Sequence, residues 1–202
     1  TGDAEGAVLD RKIIQSPPSK AALESILKDF IGSIEQTPPM VSAIKHKGVP
    51  LYQLAREGKT VERAKRTCDI ESIDLIELTP NTFTIRVICG KGTYIRTLVE
   101  DIGQALGLGA HVAALHRDWV YPFVDDEMVA SDALLNTECG TFPELLPIEQ
   151  ALPQLPRHTL SKEQSIHFRQ GRQWHIEKLQ NAMHLVFSEK QCLLGLACVE
   201  DG

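Results

Sequence analysis

Between residues 83 and 106, FTIRVICGKGTYIRTLVEDIGQAL, the hydrophobic period of this chain switches. Phe83, Ile85, Val87 and Cys89 alternate with polar neighbours, the pattern of a strand with one buried face. After Gly90 and Gly92, the residues Ile95, Leu98, Val99, Ile102 and Leu106 fall on one side of a helix. A half-buried strand running straight into an amphipathic helix must stack helix on sheet. Thr93 is the predicted N-cap, and Gly107 and Gly109 are the predicted stop. Upstream, residues 65–79 carry Ile70, Ile73, Leu75, Ile76 and Leu78, enough for a strand with a bulge. Pro80-Asn81 then turns it into the alternating run, giving a hairpin. The run AHVAALHRDWV reads as a further strand. The expected class is therefore α+β, with a mixed or mostly antiparallel sheet and packed helices.

The flanking sequence fits that frame. Ser19 can cap a helix whose apolar residues are Leu23, Ile26, Leu27, Phe30 and Ile31, with Gly32 as the stop signal. In QTPPMVSAIKHKGVPLYQLAREGK the prolines enforce an extended approach. There, SAIKH reads as a short strand, Lys47-Gly48 as a turn, and Leu51 to Glu57 as a short helix ended by Gly58. From about residue 152 the prolines of LPQLPRH suggest a linker, dividing the chain into 1–152 and 153–202. The second part holds a helix near Lys162–Phe168 and two strand-like runs, AMHLVFS and CLLGLACV. So short a segment makes a marginal core by itself, so a small β-rich barrel is expected there. His158, His167, His175 and His184 match no metal-ligand spacing.

Composition excludes several classes. Hydrophobic content of 43% and charged content of 24% suit a soluble globular chain, expected in the cytoplasm and as a monomer. No apolar run approaches the ~18 residues of a membrane span. Cys68, Cys89, Cys139, Cys192 and Cys198 lack CxxC spacing and read as reduced, mostly buried thiols. The chain begins at Thr1 rather than Met, so further sequence upstream is expected. A net charge of −6 argues against nucleic acid, but its distribution does not. Residues 44–66 hold Lys45, Lys47, Arg56, Lys59, Arg63, Lys65 and Arg66 against Glu57 and Glu62, a balance of +5, leaving −11 elsewhere. Such a patch either binds phosphates locally or is a solvated face.

Arg96 is the anomaly. It falls in the first turn of the predicted helix, where the dipole disfavours a cation by about 0.3–1 kcal/mol. A bond to Glu100, four residues on, has the unfavoured order for such a pair. GKGT at 90–93 lacks the Walker spacing, since Gly92 stands in the Ser/Thr place, so a nucleotide P-loop is excluded. A strand-to-helix junction projecting Tyr94 and Arg96 on either side of Ile95 looks like the wall of a site.

Two long motifs in order, QTPPMVSAIKHKGVPLYQLAREG and GKGTYIRTLVEDIGQALGLGAHVAALHR, resemble the TruB family of tRNA pseudouridine synthases. TGDAEGAVLD resembles that family's T-x-x-D-A-x-G segment, and residues 158–202 are more weakly similar to PUA-like RNA-binding domains. The resemblance implies an incomplete pseudouridine synthase fold over 1–152 and a PUA-like domain at 153–202. It implies isomerisation of the T-loop uridine of elongator tRNAs to pseudouridine, with no metal and no organic or nucleotide cofactor. The implied partner is the tRNA T-stem-loop, with no membrane involved. By the same resemblance Arg96 pairs with a nucleophilic aspartate, Tyr94 lies against the flipped uracil, and Leu115 supplies an apolar wall. Asp3 becomes a site-adjacent carboxylate, and Lys45, Lys47, Arg63 and Arg66 become RNA contacts.

The departures from the pattern are specific. The G-x-L-D-P-x-A-T-G motif bearing the nucleophile does not occur in these 202 residues, so the chain is expected to be a fragment that is inactive alone. Val41 stands where an aromatic often precedes Ser-Ala, and His116 interrupts the usual Leu-Arg-Arg. The alternative is a non-catalytic RNA-binding or tRNA-folding module on the same scaffold. A guide-RNA-dependent relative fits less well, because KHKGVPLYQLAREGK has the stand-alone form.

Overall fold

Ser19 accepts the Ala22 amide at 3.2 Å and so caps the first helix, α1 (Lys20–Asp29). In this computed structural model, residues 2–4, 8, 11–14, 16–123, 129–135, 145–173 and 182–199 are described. The chain divides into two units, Thr1–His116 and Arg117–Gly202.

The first unit is built on a three-stranded antiparallel sheet, β1 (Gly32–Gln36), β4 (Arg66–Leu78) and β5 (Phe83–Cys89), in the order β1-β4-β5. The long β4 pairs on both sides, and its register shifts at Ile70/Ser72 and at Leu75/Glu77, as a bulged strand does. Between β1 and β4 lie a small hairpin, β2 (Lys45–His46) with β3 (Val49–Pro50), and the helix α2 (Leu51–Arg56). Lys47 and Gly48 carry φ of 49° and 87°, the paired left-handed residues that a tight two-residue hairpin turn requires. After β5 comes α3 (Ile95–Ala105). One core joins the layers: Leu23 and Leu27 of α1, Ile70 and Ile73 of β4, and Leu98 and Ile102 of α3. Burying each such side chain contributes about 1.5–3 kcal/mol.

Gly103, inside α3, has no room for a side chain. A Cβ there would overlap the backbone of Gly109 and Ala110. The chain doubles back tightly after the helix, with the Leu108 and Gly109 amides both donating to the Gly103 carbonyl at 3.1 and 2.8 Å. This return delivers Val112, which brackets Asp3 through an isolated parallel bridge. The Val112 amide donates to Gly2 O and the Ala4 amide to Val112 O, each at 2.9 Å.

The second unit holds the helix α4 (Ser131–Leu135) and a 3-10 turn (Ile148–Ala151). A three-stranded sheet follows, β6 (Arg157–Leu160), β7 (Met183–Ser188) and β8 (Leu193–Cys198), with β6 parallel and β8 antiparallel to β7. The helix α5 (Lys162–Arg169) opens with a capping box between Ser161 and Gln164. Leu160, Leu185, Val186 and Phe187 are the buried centre of this unit.

Several expectations need correction. Tyr94, not Thr93, is the N-cap of α3; the Thr93 hydroxyl instead donates to Gly90 O at 2.9 Å, tightening the turn before the helix. AHVAALHRDWV is not a strand: Val112 and Val120 make isolated bridges only, and Leu115 and Trp119 are exposed. Gly32, with φ of 100°, begins β1 rather than ending α1, and Ile31 is exposed. Arg157 and His158, read as linker, open β6, and β6, β7 and β8 form one three-stranded sheet among the described residues. Cys68 is buried, but Cys89, Cys192 and Cys198 are exposed. Cys139 and His175 lie outside the described residues. No described helix is long and apolar enough to cross a membrane.

Gly103→Ala should therefore lower stability by about 1–3 kcal/mol or more, because backbone rather than a flexible side chain must yield. Urea unfolding checks this; an unchanged midpoint contradicts the close approach.

Candidate nucleic-acid-modifying site at the start of α3

Tyr94 and Arg96 stand at the junction where the hairpin hands over to α3. The Tyr94 backbone is extended, with φ −99° and ψ 104°, and no side chain of its own caps the helix. Gln36, the last residue of β1 and 2% exposed, holds this junction from across the sheet. Its Oε1 accepts the Tyr94 amide at 2.9 Å, and its Nε2 donates to the Tyr94 carbonyl at 3.3 Å.

Two residues on, the Arg96 guanidinium forks. Nη1 donates to Asp3 Oδ2 at 3.1 Å, and Nη2 donates to the Val41 carbonyl at 2.9 Å. Both charged side chains are only about a quarter exposed, 25% for Arg96 and 29% for Asp3. Among the described residues the ion-pair partner of Arg96 is thus Asp3, 93 positions away, and not Glu100. The fork ties α3 to the segment after β1, which Arg63 ties again by donating from Nη1 to Pro38 O at 2.8 Å. Arg63 Nε and Ser42 Oγ are buried along this segment and have no hydrogen-bond partner among the described residues. Nearby, burial pushes the Cys68 thiol up from its ordinary value, against a hydrogen bond with Thr93 that lowers it. Burial likewise raises the Asp101 carboxyl.

The structure thus pairs Arg96 with Asp3 and the Val41 carbonyl, and Gln36 with the Tyr94 backbone two residues before Arg96. Leu115 is 64% exposed and belongs to none of the hydrogen bonds that join these groups. The basic residues differ in exposure and partners. Lys45, Lys47 and Arg66 are exposed, and Arg66 is the register partner of Gln36. Arg63 is half-buried and occupied with Pro38, while Lys59 and Lys65 lie against Glu57 and Glu35. Sequence reasoning missed Gln36. A signal existed: Ile34 and Gln36 are two apart in a strand, so they share its inward face, and a buried amide demands partners.

Residues 1–95 match the model of the TruB family pseudouridylate synthase N-terminal domain, and residues 96–153 match that of the tRNA pseudouridylate synthase B C-terminal domain. A tRNA pseudouridine synthase B of Burkholderia mallei is 39% identical over 210 aligned positions, covering 100% of this chain and 69% of that protein. The chain belongs to the TruB family. A TruB-family relative from Chromohalobacter salexigens, also a tRNA pseudouridine synthase B, is 46% identical over 157 residues, covering 77% of this chain and 51% of the relative. The chain therefore spans between about half and about two thirds of the length of these curated relatives. Among solved structures, a Cbf5-Nop10-Gar1 complex matches with a TM-score of 0.67 and 25% identity, covering 91% of this chain and 56% of that one. An H/ACA ribonucleoprotein bound to a substrate RNA containing 2'-deoxyuridine matches in fold, with a TM-score of 0.66 and 21% identity over 92% of this chain and 56% of that one.

The Asp3–Arg96 pair should couple by about 1 kcal/mol, above the usual value for an exposed pair because both groups are largely shielded and hydrogen-bonded. A double-mutant cycle on Asp3→Asn and Arg96→Gln, read by urea unfolding, measures it. Strict additivity would contradict the pairing.

Proposed function

We propose that this chain carries the arginine and tyrosine side of a tRNA pseudouridine synthase site that isomerises the T-loop uridine. The observation that carries the reading is the Arg96 fork: a shielded guanidinium in the first helical turn, held between Asp3 and Val41 O beside Tyr94. Membership of the TruB family supports it.

The reaction breaks the bond from ribose to the uracil nitrogen and forms one to a ring carbon, and the proton on that carbon is then lost while the nitrogen gains one. A duplex or folded loop hides those atoms, so the base must be flipped out. An aspartate nucleophile serves the ribose carbon, and we place it outside these 202 residues, so the chain alone is expected to be inactive. Arg96 is the cation that keeps such a carboxylate ionised and aimed. Its bonds to Asp3 and Val41 O hold the fork in one orientation. Tyr94 stacks against the extruded uracil and serves the final proton transfer. Leu115 supplies apolar surface, and its exposure suits a surface that RNA covers. The C-terminal residues 153–202 extend the RNA contact as a PUA-like domain.

Binding to the T-stem-loop is assigned to the +5 stretch, through Lys45, Lys47 and Arg66, with Arg63 shaping the segment they flank. RNA of this kind is recognised through phosphates and splayed bases rather than duplex sequence. Alanine at Lys45, Lys47 or Arg66 should weaken T-arm hairpin binding and lower its salt slope by about 0.7–0.9 for each phosphate no longer neutralised. Arg63→Ala should lower stability instead. Undiminished affinity after reversing all three exposed charges would make the patch a solvated face.

The deciding experiment is Arg96→Lys in the full-length gene product. Lysine keeps the charge but not the fork. The expected result is a large loss of turnover on saturating tRNA with near-normal affinity, the pattern of an interaction made in the transition state. Full turnover would remove Arg96 from the site.

A further inference from the structure

We infer that Gln36 is a positioning residue for the reaction, setting the direction of Tyr94 and the phase of α3 through the two-point bond between its carboxamide and the Tyr94 backbone. The inference rests on the reading of Tyr94 as the group that meets the target uracil. Gln36 itself touches no substrate in this account.

Helix geometry leaves the first amides of α3 without intrahelical partners, and Tyr94, as N-cap, has no side chain able to bond back. Its carbonyl already receives the first helical bond, from the Leu98 amide at 3.0 Å. Gln36 supplies a donor and an acceptor in one plane, so it grips Tyr94 N–H and C=O together, as a neighbouring strand would. A single bond would let the peptide pivot, whereas two fix the Cα–Cβ direction. The grip is rigid at its base, because Gln36 ends β1, pairs with Arg66 of β4 and is buried. The same junction sets Arg96 two residues later. Its Nη2 bond to Val41 O reaches the segment five residues beyond Gln36, so both functional side chains take their reference from one stretch, 36–41.

Side-chain chemistry makes the role specific. Methionine fills similar volume but makes neither bond. Glutamate keeps an acceptor for the Tyr94 amide yet puts a second oxygen against the Tyr94 carbonyl.

The test uses the full-length gene product labelled with 3-fluorotyrosine, the Tyr94 fluorine resonance being identified by its loss in Tyr94→Phe. In Gln36→Met we expect that resonance to move or broaden, and kcat on a tRNA transcript to fall roughly ten- to a hundredfold while KM changes by less than about threefold. Gln36→Glu should behave in the same direction and stands in if the methionine variant does not fold. Ile73→Val, a core change in β4, is the control for stability alone, and it should leave the resonance and kcat in place. An unmoved Tyr94 resonance in both Gln36 variants overturns the inference, as does a kcat loss reproduced by Ile73→Val. A wild-type protein that leaves uridine unchanged sinks the functional reading by itself. The fluorine resonance then still decides whether Gln36 holds Tyr94.

Discussion

A cation in the first turn of a helix works against the helix dipole, and α3 accepts that cost because acceptors from two distant segments meet Arg96. The penalty is about 0.3–1 kcal/mol, and an ion pair worth about 1 kcal/mol together with a second hydrogen bond from the guanidinium returns more than that. Asp3 and Val41 O therefore outweigh the dipole. Neither acceptor belongs to α3. Each is presented by a segment whose position is set elsewhere: Asp3 by the Val112 bridge, Val41 by the run after β1. Remove the close return of the chain past Gly103 and the bridge at Val112 loses its reference.

The sheet and the site are accordingly one construction. β1 supplies Ile34 to the core and Gln36 to Tyr94 from the same face. α3 supplies Leu98 and Ile102 to the core, and its N-terminal end supplies the guanidinium. A helix held by its buried face alone can still slide or rotate slightly. The Gln36 amide removes that freedom where it matters most, at the residue preceding the first turn.

Elements with their own periodicity were legible in the sequence. The alternation from Phe83 to Val87 and the face made by Leu98, Val99 and Ile102 fixed β5 and α3, and Lys47-Gly48 announced its hairpin. What was not legible depends on pairing at long range. GSIEQ has one large apolar residue and becomes β1 only because β4 lies beside it. Arg157 to Leu160 follows prolines and becomes β6 only against β7. At the site, the anomaly of Arg96 was readable and Asp3 was singled out as a site-adjacent carboxylate, but Val41 O was hidden, since a backbone carbonyl leaves no mark in a sequence. Gln36 was hidden because its strand was.

The central claim is that this scaffold arranges Tyr94 and Arg96 to isomerise a uridine rather than merely to hold RNA. The most direct measurement is mass-neutral isomerisation mapped by nucleotide position on an unmodified elongator tRNA transcript, using the full-length gene product in catalytic amounts. The account predicts conversion at the T-loop uridine over many turnovers, with other uridines untouched. Tight, stoichiometric binding of the same transcript with every uridine unchanged would contradict it and leave an RNA-binding module on the same scaffold.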